Sequence, residues 1–240
     1  MDVVLIKVWA PRPIVFYDIR DSRLRSISSG MLLAMDATHI SELLDPFLGE
    51  EKLADSQLGQ ISTYIDVLLK WNSRMNLTAV RDPEQIVQRH FGESLFAARH
   101  LVTKDSTITV ADVGSGAGFP GIPMKIYATG LQSTLIESHG KKATFLREVC
   151  PNLTLTNINV FPDRADDWKH TAELVTLRAV EKFEQILPVA ASLVAPQGRL
   201  ALLIGGSQGL SAEKSLSGNW SDSIKIPNSR ERVLKIWRKT

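Results

Sequence analysis

Thr107-Ile-Thr-Val-Ala-Asp-Val113 runs straight into Gly114-Ser-Gly-Ala-Gly118, and the reading of this junction decides the fold. The first half is a short run rich in β-branched residues, which suit a pleated, half-buried surface. The second half sets three glycines in five residues. They let a backbone turn tightly and approach a ligand with no Cβ in the way. Met124 to Ala128 then reads as helix, with Gly130 as its stop. Strand, glycine turn and helix in that order open an α/β sheet, and such sheets bind ligands beyond the carboxyl ends of their strands.

The same alternation continues downstream. Ser133 to Ile136 reads as a second strand, Lys141 to Cys150 as a helix, Leu153 to Val160 as a third strand, and 163–168 as a short helix. Leu174 to Arg178 is a fourth strand. Glu184 to Val194 is a helix ended by Pro196-Gln197-Gly198, and Leu200 to Ile204 is a fifth strand. Strands alternating with helices imply right-handed crossovers and parallel pairing. Ser223 to Ile226 and Val233 to Trp237, joined by a polar turn near Asn228, predict a terminal antiparallel hairpin. The expected architecture is Rossmann-like, with a mostly parallel seven-stranded sheet.

Upstream the period is helical. Leu58, Ile61, Ile65, Leu68 and Leu69 recur on one helix face over 37–101. Asp82-Pro83-Glu84 is a helix start, with a capping carboxylate, proline at the first position and an acid in the first turn. Gly92 is expected to divide two helical pieces, and Asn76 to be either a helix C-cap or a functional residue. Residues 1–35 show no sustained period and read as a poorly ordered extension or a short packed arm. The expected organisation is therefore 1–35 as extension, 36–101 as a helical segment and 102–240 as the α/β domain.

The chain has 240 residues, 44% hydrophobic and 22% charged, with a formal charge of +2, so it can bury a sizeable core. Its charge balance neither demands nor forbids nucleic acid, because a local basic patch suffices. Cys150 is the sole cysteine, which excludes an internal disulfide and fits a reducing compartment. No apolar run reaches the roughly 20 residues of a membrane span, and Val3 to Phe16 lacks the unbroken apolar core of a signal peptide. A cytoplasmic location without membrane attachment follows as the expectation. Five scattered histidines without ligand spacing predict no metal site.

The chemistry of the loop narrows its ligand. The pattern is D-x-G-x-G-x-G from Asp112, whereas a nicotinamide fingerprint needs G-x-G-x-x-G. Counting from Gly114, the third glycine of that fingerprint falls on Phe119. Counting from Gly116 it falls on Gly121, with two extra prolines in the loop. Asp112 would also repel the phosphates of a dinucleotide. S-adenosylmethionine has no phosphate and carries an ammonium and a sulfonium, so a nearby carboxylate favours it. Glu137, at the end of the second strand, is placed to accept hydrogen bonds from both ribose hydroxyls.

Extended to its neighbours, Asp112-Val-Gly-Ser-Gly-Ala-Gly-Phe-Pro-Gly-Ile-Pro123 resembles the signature of the bacterial 16S ribosomal RNA guanine-N7 methyltransferases, the glucose-inhibited division protein B family. So do Leu135-Ile-Glu-Ser-His-Gly-Lys-Lys142, Phe145-Leu-Arg147, Trp71-Asn72, Asn76-Leu-Thr-Ala79, and His90 with Ser94. The resemblance covers about 37–240 and implies a class I methyltransferase fold. It implies methyl transfer from S-adenosylmethionine to N7 of a guanine in the decoding region of 16S ribosomal RNA, in the small subunit or an assembly intermediate, by a monomer. Gly114, Gly116 and Gly118 would line the cofactor's amino-acid end, with Asp112 and Phe119 beside them. Glu137 would hold the ribose, and Ala165 and Asp166 would lie by the adenine. Arg178, before Ala179, matches the family's arginine at the end of the fourth strand.

Three positions depart from the family pattern. Leu177 replaces the usual serine, Ile204 the usual lysine and Glu93 the usual aspartate. Arg178 is the candidate catalytic and cofactor-binding residue, acting by positioning through RNA phosphate, guanine or the cofactor's carboxylate, or else it forms a structural ion pair at a strand end. Arg74, Arg81, Arg89, His90, Lys141, Lys142 and Arg147 are candidate RNA contacts, or else solvated charges; His90 alternatively caps a helix or is partly buried. Phe119 stacks on a base or packs behind the loop. Guanine N7 carries a lone pair and no proton, so methyl transfer needs alignment rather than a general base. The alternatives kept open are a methyltransferase for another substrate, a non-catalytic RNA-binding relative, and an oxidoreductase.

Overall fold

The computed structural model describes residues 35–178, 180 and 182–239. The expectation for residues 1–34, and the place of Ala179 in the arginine motif, therefore lie outside the described residues.

Three helical stretches come first: α1 (Ala37–Leu48), α2 (Asp55–Asn72), and a long run made of α3 (Pro83–Ile86), a π-helical segment (Val87–Gly92) and α4 (Glu93–Leu101). Asp82 begins that run as read from the sequence, its side chain accepting from the Gln85 N–H at 2.9 Å. Gly92 does not divide it. The helix passes through Gly92 as a π turn, and the glycine is there because any Cβ would lie 2.5 Å from the Phe47 ring on α1. Asn76 is not a cap either, since α2 ends at Asn72 with Ser73 as its capping residue.

The sheet follows: β1 (Thr109–Val113), α5 (Gly121–Tyr127), β2 (Gln132–Ile136), α6 (Gly140–Asn152), β3 (Ile158–Phe161), β4 (Ala172–Arg178), α7 (Phe183–Ser192), β5 (Val194–Gly205), α8 (Gly206–Ser215), β6 (Asn219–Trp220), β7 (Ile224–Lys225) and β8 (Arg232–Arg238). Strands run in the order β3-β2-β1-β4-β5-β8-β6, with β7 also on β8. The first five are parallel, and β8 is antiparallel to β5. Among the described residues there are eight strands rather than seven, because the edge position beyond β8 is filled by two short pieces, β6 and β7. The hairpin turn falls where expected, with Asn228 at φ 55°.

Two boundaries differ for backbone reasons. β3 starts at Ile158, not Leu153, because Thr154 and Asn157 take positive φ and break the extended run. Pro196-Gln197-Gly198 does not stop α7, which has already ended at Ser192. It lies inside β5, where the register with β4 slips and Gln197 takes φ 62°.

Alternate strand residues feed two cores. Val110, Leu135, Leu174 and Leu203 pack with α1, α2, α5 and α6 on one face. Ala111, Ile136, Val175 and Leu202 pack with α7 and α8 on the other. Both faces covered is the condition for a parallel sheet, and it leaves the carboxyl ends of β1, β2, β4 and β5 as the rim where side chains can converge. Among the described residues, no helix is long and apolar enough to cross a membrane.

Candidate active site at the glycine loop and the arginine rim

The loop after β1 is held by its own backbone and by two carboxylates. Gly114 and Ser115 N–H donate to Ile136 O on β2 at 2.9 and 3.1 Å, and Gly118 N–H donates to Ser115 O at 2.7 Å. Glu137, one residue past β2, accepts from Gly116 N–H at 2.8 Å with one oxygen and from His139 N–H at 2.8 Å with the other. Asp112 is buried beneath the loop. It accepts from Thr176 Oγ1 at 2.7 Å and from Gly121 N–H at 3.2 Å. Burial pushes its carboxyl up to about 6, against the opposing pull of these hydrogen bonds. Asp112 is thus a strut under the turn, not a charge on its open side.

The glycines divide by reason. A Cβ on Gly118 would collide with Tyr64 Oη and Ile122, so close packing demands glycine there. At Gly116 a Cβ would meet only Gly114 O, in ordinary contact at 3.8 Å, so this glycine answers to its backbone, at φ 58°, rather than to crowding. An exposed Gly114 and a half-buried Gly116, with a carboxylate 2.8 Å from the Gly116 N–H, suit a ligand carrying ribose hydroxyls and a cationic end. S-adenosylmethionine fits that donor and acceptor set.

Phe119 is buried among other rings. Tyr64 stacks on it at 5.3 Å and His90 at 4.9 Å, and Phe91 meets its edge at 5.2 Å. The ring packs behind the loop. Ala165 is buried in the same apolar cluster as Ile136, while Asp166 is exposed and paired with Arg164 at 2.9 Å.

The second half of the site is a network of arginines about one acid. Arg178, largely buried at the end of β4, donates from Nη1 to His90 O at 3.3 Å and Ser94 Oγ at 3.2 Å. Its Nη2 donates to Arg89 O at 2.5 Å and Glu93 Oε2 at 3.1 Å. The other Glu93 oxygen pairs with Arg232 of β8. Burial raises the pKa of Glu93 while Arg178, Arg232 and Arg89 oppose the rise. Two guanidiniums hydrogen-bonded to one carboxylate hold it as the anion. His90, half-buried, has its pKa lowered to about 3 by burial and by Arg178, and its Nε2 lies 2.7 Å from Thr78 Oγ1. It is neutral and adds no charge to a phosphate contact.

Among the remaining candidates, Arg74, Arg81, Arg89, Lys141 and Arg147 are exposed and Lys142 is half-buried. Lys141, Lys142 and Arg147 all lie on α6. Arg81 donates to Asn76 Oδ1 at 3.3 Å. Leu177 and Ile204 are both buried in the core under α7 and α8, so neither side chain reaches the rim. Sequence reasoning missed Tyr64, Thr176 and Arg232. Thr176 carries a readable signal, since it is the one polar residue in the apolar run from Leu174 to Leu177; Arg232 carries none.

A parallel sheet with a terminal antiparallel hairpin, a glycine turn after β1 and an acid after β2 define a Rossmann-like class I methyltransferase. Solved structures agree in fold. The ribosomal protein L11 methylase from Lactobacillus delbrueckii subsp. bulgaricus aligns over 64% of this chain and 80% of its own, with TM-score 0.54 and 18% identity. The tRNA (m1A58) methyltransferase TrmI from Aquifex aeolicus aligns over 61% and 68%, with TM-score 0.51 and 16% identity. Residues 57–223 match rRNA small subunit methyltransferase G (GidB), and the chain belongs to that family. The ribosomal RNA small subunit methyltransferase G of Streptococcus agalactiae serotype V is 32% identical over 77% of this chain and 84% of its own length. Its counterpart in Xylella fastidiosa strain 9a5c is 42% identical over 59% and 66%.

Proposed function

We propose that this methyltransferase transfers a methyl group from S-adenosylmethionine to N7 of a guanine in the decoding region of 16S ribosomal RNA. In this reading it acts in the cytoplasm as a monomer, on the small subunit or an assembly intermediate. The observation that carries the proposal is the Glu137 carboxylate 2.8 Å from Gly116 N–H, at the end of the strand beside the glycine loop.

Bound S-adenosylmethionine supplies an electrophilic methyl group on a sulfonium. Glu137 takes the ribose hydroxyls, Gly114, Gly116 and Gly118 line the amino-acid end, and Asp112 and Phe119 support them from behind. Ala165 and Asp166 flank the adenine. Arg178 shapes the rim on which the guanine rests, and His90 packs against it. Arg89, Lys141, Lys142 and Arg147 track RNA phosphates. Guanine N7 brings a lone pair and no proton, so these residues need only orient and exclude water. A neutral His90 is compatible with that, because no base is required of it.

Small-subunit particles incubated with labelled cofactor, followed by mapping of the modified base, test the proposal. Label on a guanine N7 is expected; its absence overturns the reading. A second reading, a relative that binds cofactor and RNA without transfer, is favoured by the apolar burial of Leu177 and Ile204. Cofactor binding with no modified base would select it.

A further inference from the structure

Tyr64 lies on α2, outside the strand–helix units, yet it reaches the loop after β1. Its side chain is fully buried. Its hydroxyl donates to Ala117 O, in the middle of the loop. The ring lies flat on Phe119, at 5.3 Å and 2° between planes, and meets the face or edge of Phe91 at 5.1 Å and 88°. Phenylalanine would fill the same space, so packing alone does not call for the hydroxyl. A buried hydroxyl needs a partner, and here the partner is a loop carbonyl.

The geometry gives that bond a consequence. Ala117 C=O and Gly118 N–H belong to one planar peptide. Fixing the carbonyl therefore fixes the direction of the N–H, which donates to Ser115 O at 2.7 Å and closes the turn that presents Gly116. Phe119 is wedged between Tyr64 and His90, so the loop's exit cannot swing to relieve a misplaced carbonyl. The other anchors, Glu137 on Gly116 N–H and Asp112 on Gly121 N–H, flank this peptide without touching it. Burial holds the Tyr64 phenol well above its usual pKa, so it stays a donor.

We propose that Tyr64 is a positioning residue for the cofactor: its hydroxyl orients the Ala117–Gly118 peptide so that the loop is already shaped for S-adenosylmethionine. This rests on the reading of the loop as the cofactor site. Pre-shaping raises affinity by removing an ordering cost from binding.

The test is Tyr64→Phe in the full chain, which removes one oxygen and keeps the stack. The expected result is about tenfold weaker S-adenosylmethionine binding by calorimetry. The KM for cofactor should rise with kcat at saturation unchanged, and the Gly118 amide should exchange hydrogen faster. Unchanged cofactor affinity and unchanged Gly118 exchange, with only a lower melting temperature, would make Tyr64 a core residue and overturn the proposal. Wild-type protein that binds no S-adenosylmethionine would instead overturn the reading of the loop itself. If Tyr64→Phe does not fold, the wild-type protein carries the test: a loop shaped in advance keeps the Gly118 amide slow to exchange before cofactor is added, and a Gly118 amide that exchanges freely until S-adenosylmethionine binds overturns the proposal.

Discussion

The two halves of the site are built in opposite ways. The glycine loop and Glu137 come from two consecutive strand ends, and their polar groups meet through backbone bonds over short stretches of chain. The arginine rim draws Arg178, Glu93 and Arg232 from β4, α4 and β8, and its bonds join charged side chains far apart in sequence. The first half is a shaped backbone with one carboxylate bound to two of its N–H groups. The second is a buried ion network whose positive groups outnumber its acid. A loop set by backbone can lose one side chain and keep its fold. The network cannot lose its acid as easily, because Arg178 is left charged and dry.

Glu93→Ala should therefore have the largest effect. It strands the buried Arg178 guanidinium and frees the partly exposed Arg232, and breaking a buried pair by removing one partner costs about 3–5 kcal/mol. Urea unfolding should show that loss, and a change under about 1 kcal/mol would mean the network is solvated. Next comes Asp112, on the loop side. Its carboxyl sits at about 6 in the folded chain against 3.8 ordinarily. The folded state then binds the extra proton, so the Asp112 contribution is present at low pH and is lost as pH rises from about 4 to about 6. A rise of that size in an acid's pKa corresponds to about 3 kcal/mol. The fall should vanish in Asp112→Asn, and parallel stability profiles for the two proteins would refute the assignment.

Glu137→Ala sharpens the contrast from the other direction. It removes a buried carboxylate that serves two backbone N–H groups, those of Gly116 and His139. Unfolding should lose about 1–3 kcal/mol, the cost of leaving a buried N–H unpaired, and S-adenosylmethionine affinity should fall by about 1.5–3 kcal/mol, the worth of hydrogen bonds to a charged group. Equal affinity for variant and wild type would move the ribose elsewhere.

This difference also explains what the sequence made legible. The Thr107 to Gly118 junction, the capping Asp82 and the hairpin about Asn228 are local patterns, and each appears in the fold where the residues placed it. Arg178 and Glu93 stand 85 residues apart, and nothing near either one signals that they meet. Phe119 reads equally as a base stack or as packing behind the loop until Tyr64, which carries no signal of its own, lies against it. Gly92 reads as a break because the Phe47 ring that requires it belongs to another helix. Partnership and burial are tertiary facts, and a linear pattern carries only their local shadow.

The smallest expected effect lies on α6, where Lys141 and Arg147 are exposed and touch neither half of the network. Replacing both with alanine should leave the unfolding midpoint in place, since exposed charges away from a network contribute little to stability. RNA binding should respond instead. Each lysine or arginine that neutralises a phosphate releases counterions, so losing one lowers the salt dependence by about one unit of slope and weakens binding uniformly across sequences. A drop of about two in the slope would put α6 on the RNA path beside the loop. An unchanged slope would mark both as solvated charges and leave the rim of Arg89 and Arg232 as the surface that meets RNA. In that case the two halves would divide their work fully, the loop taking the cofactor and the arginines the substrate.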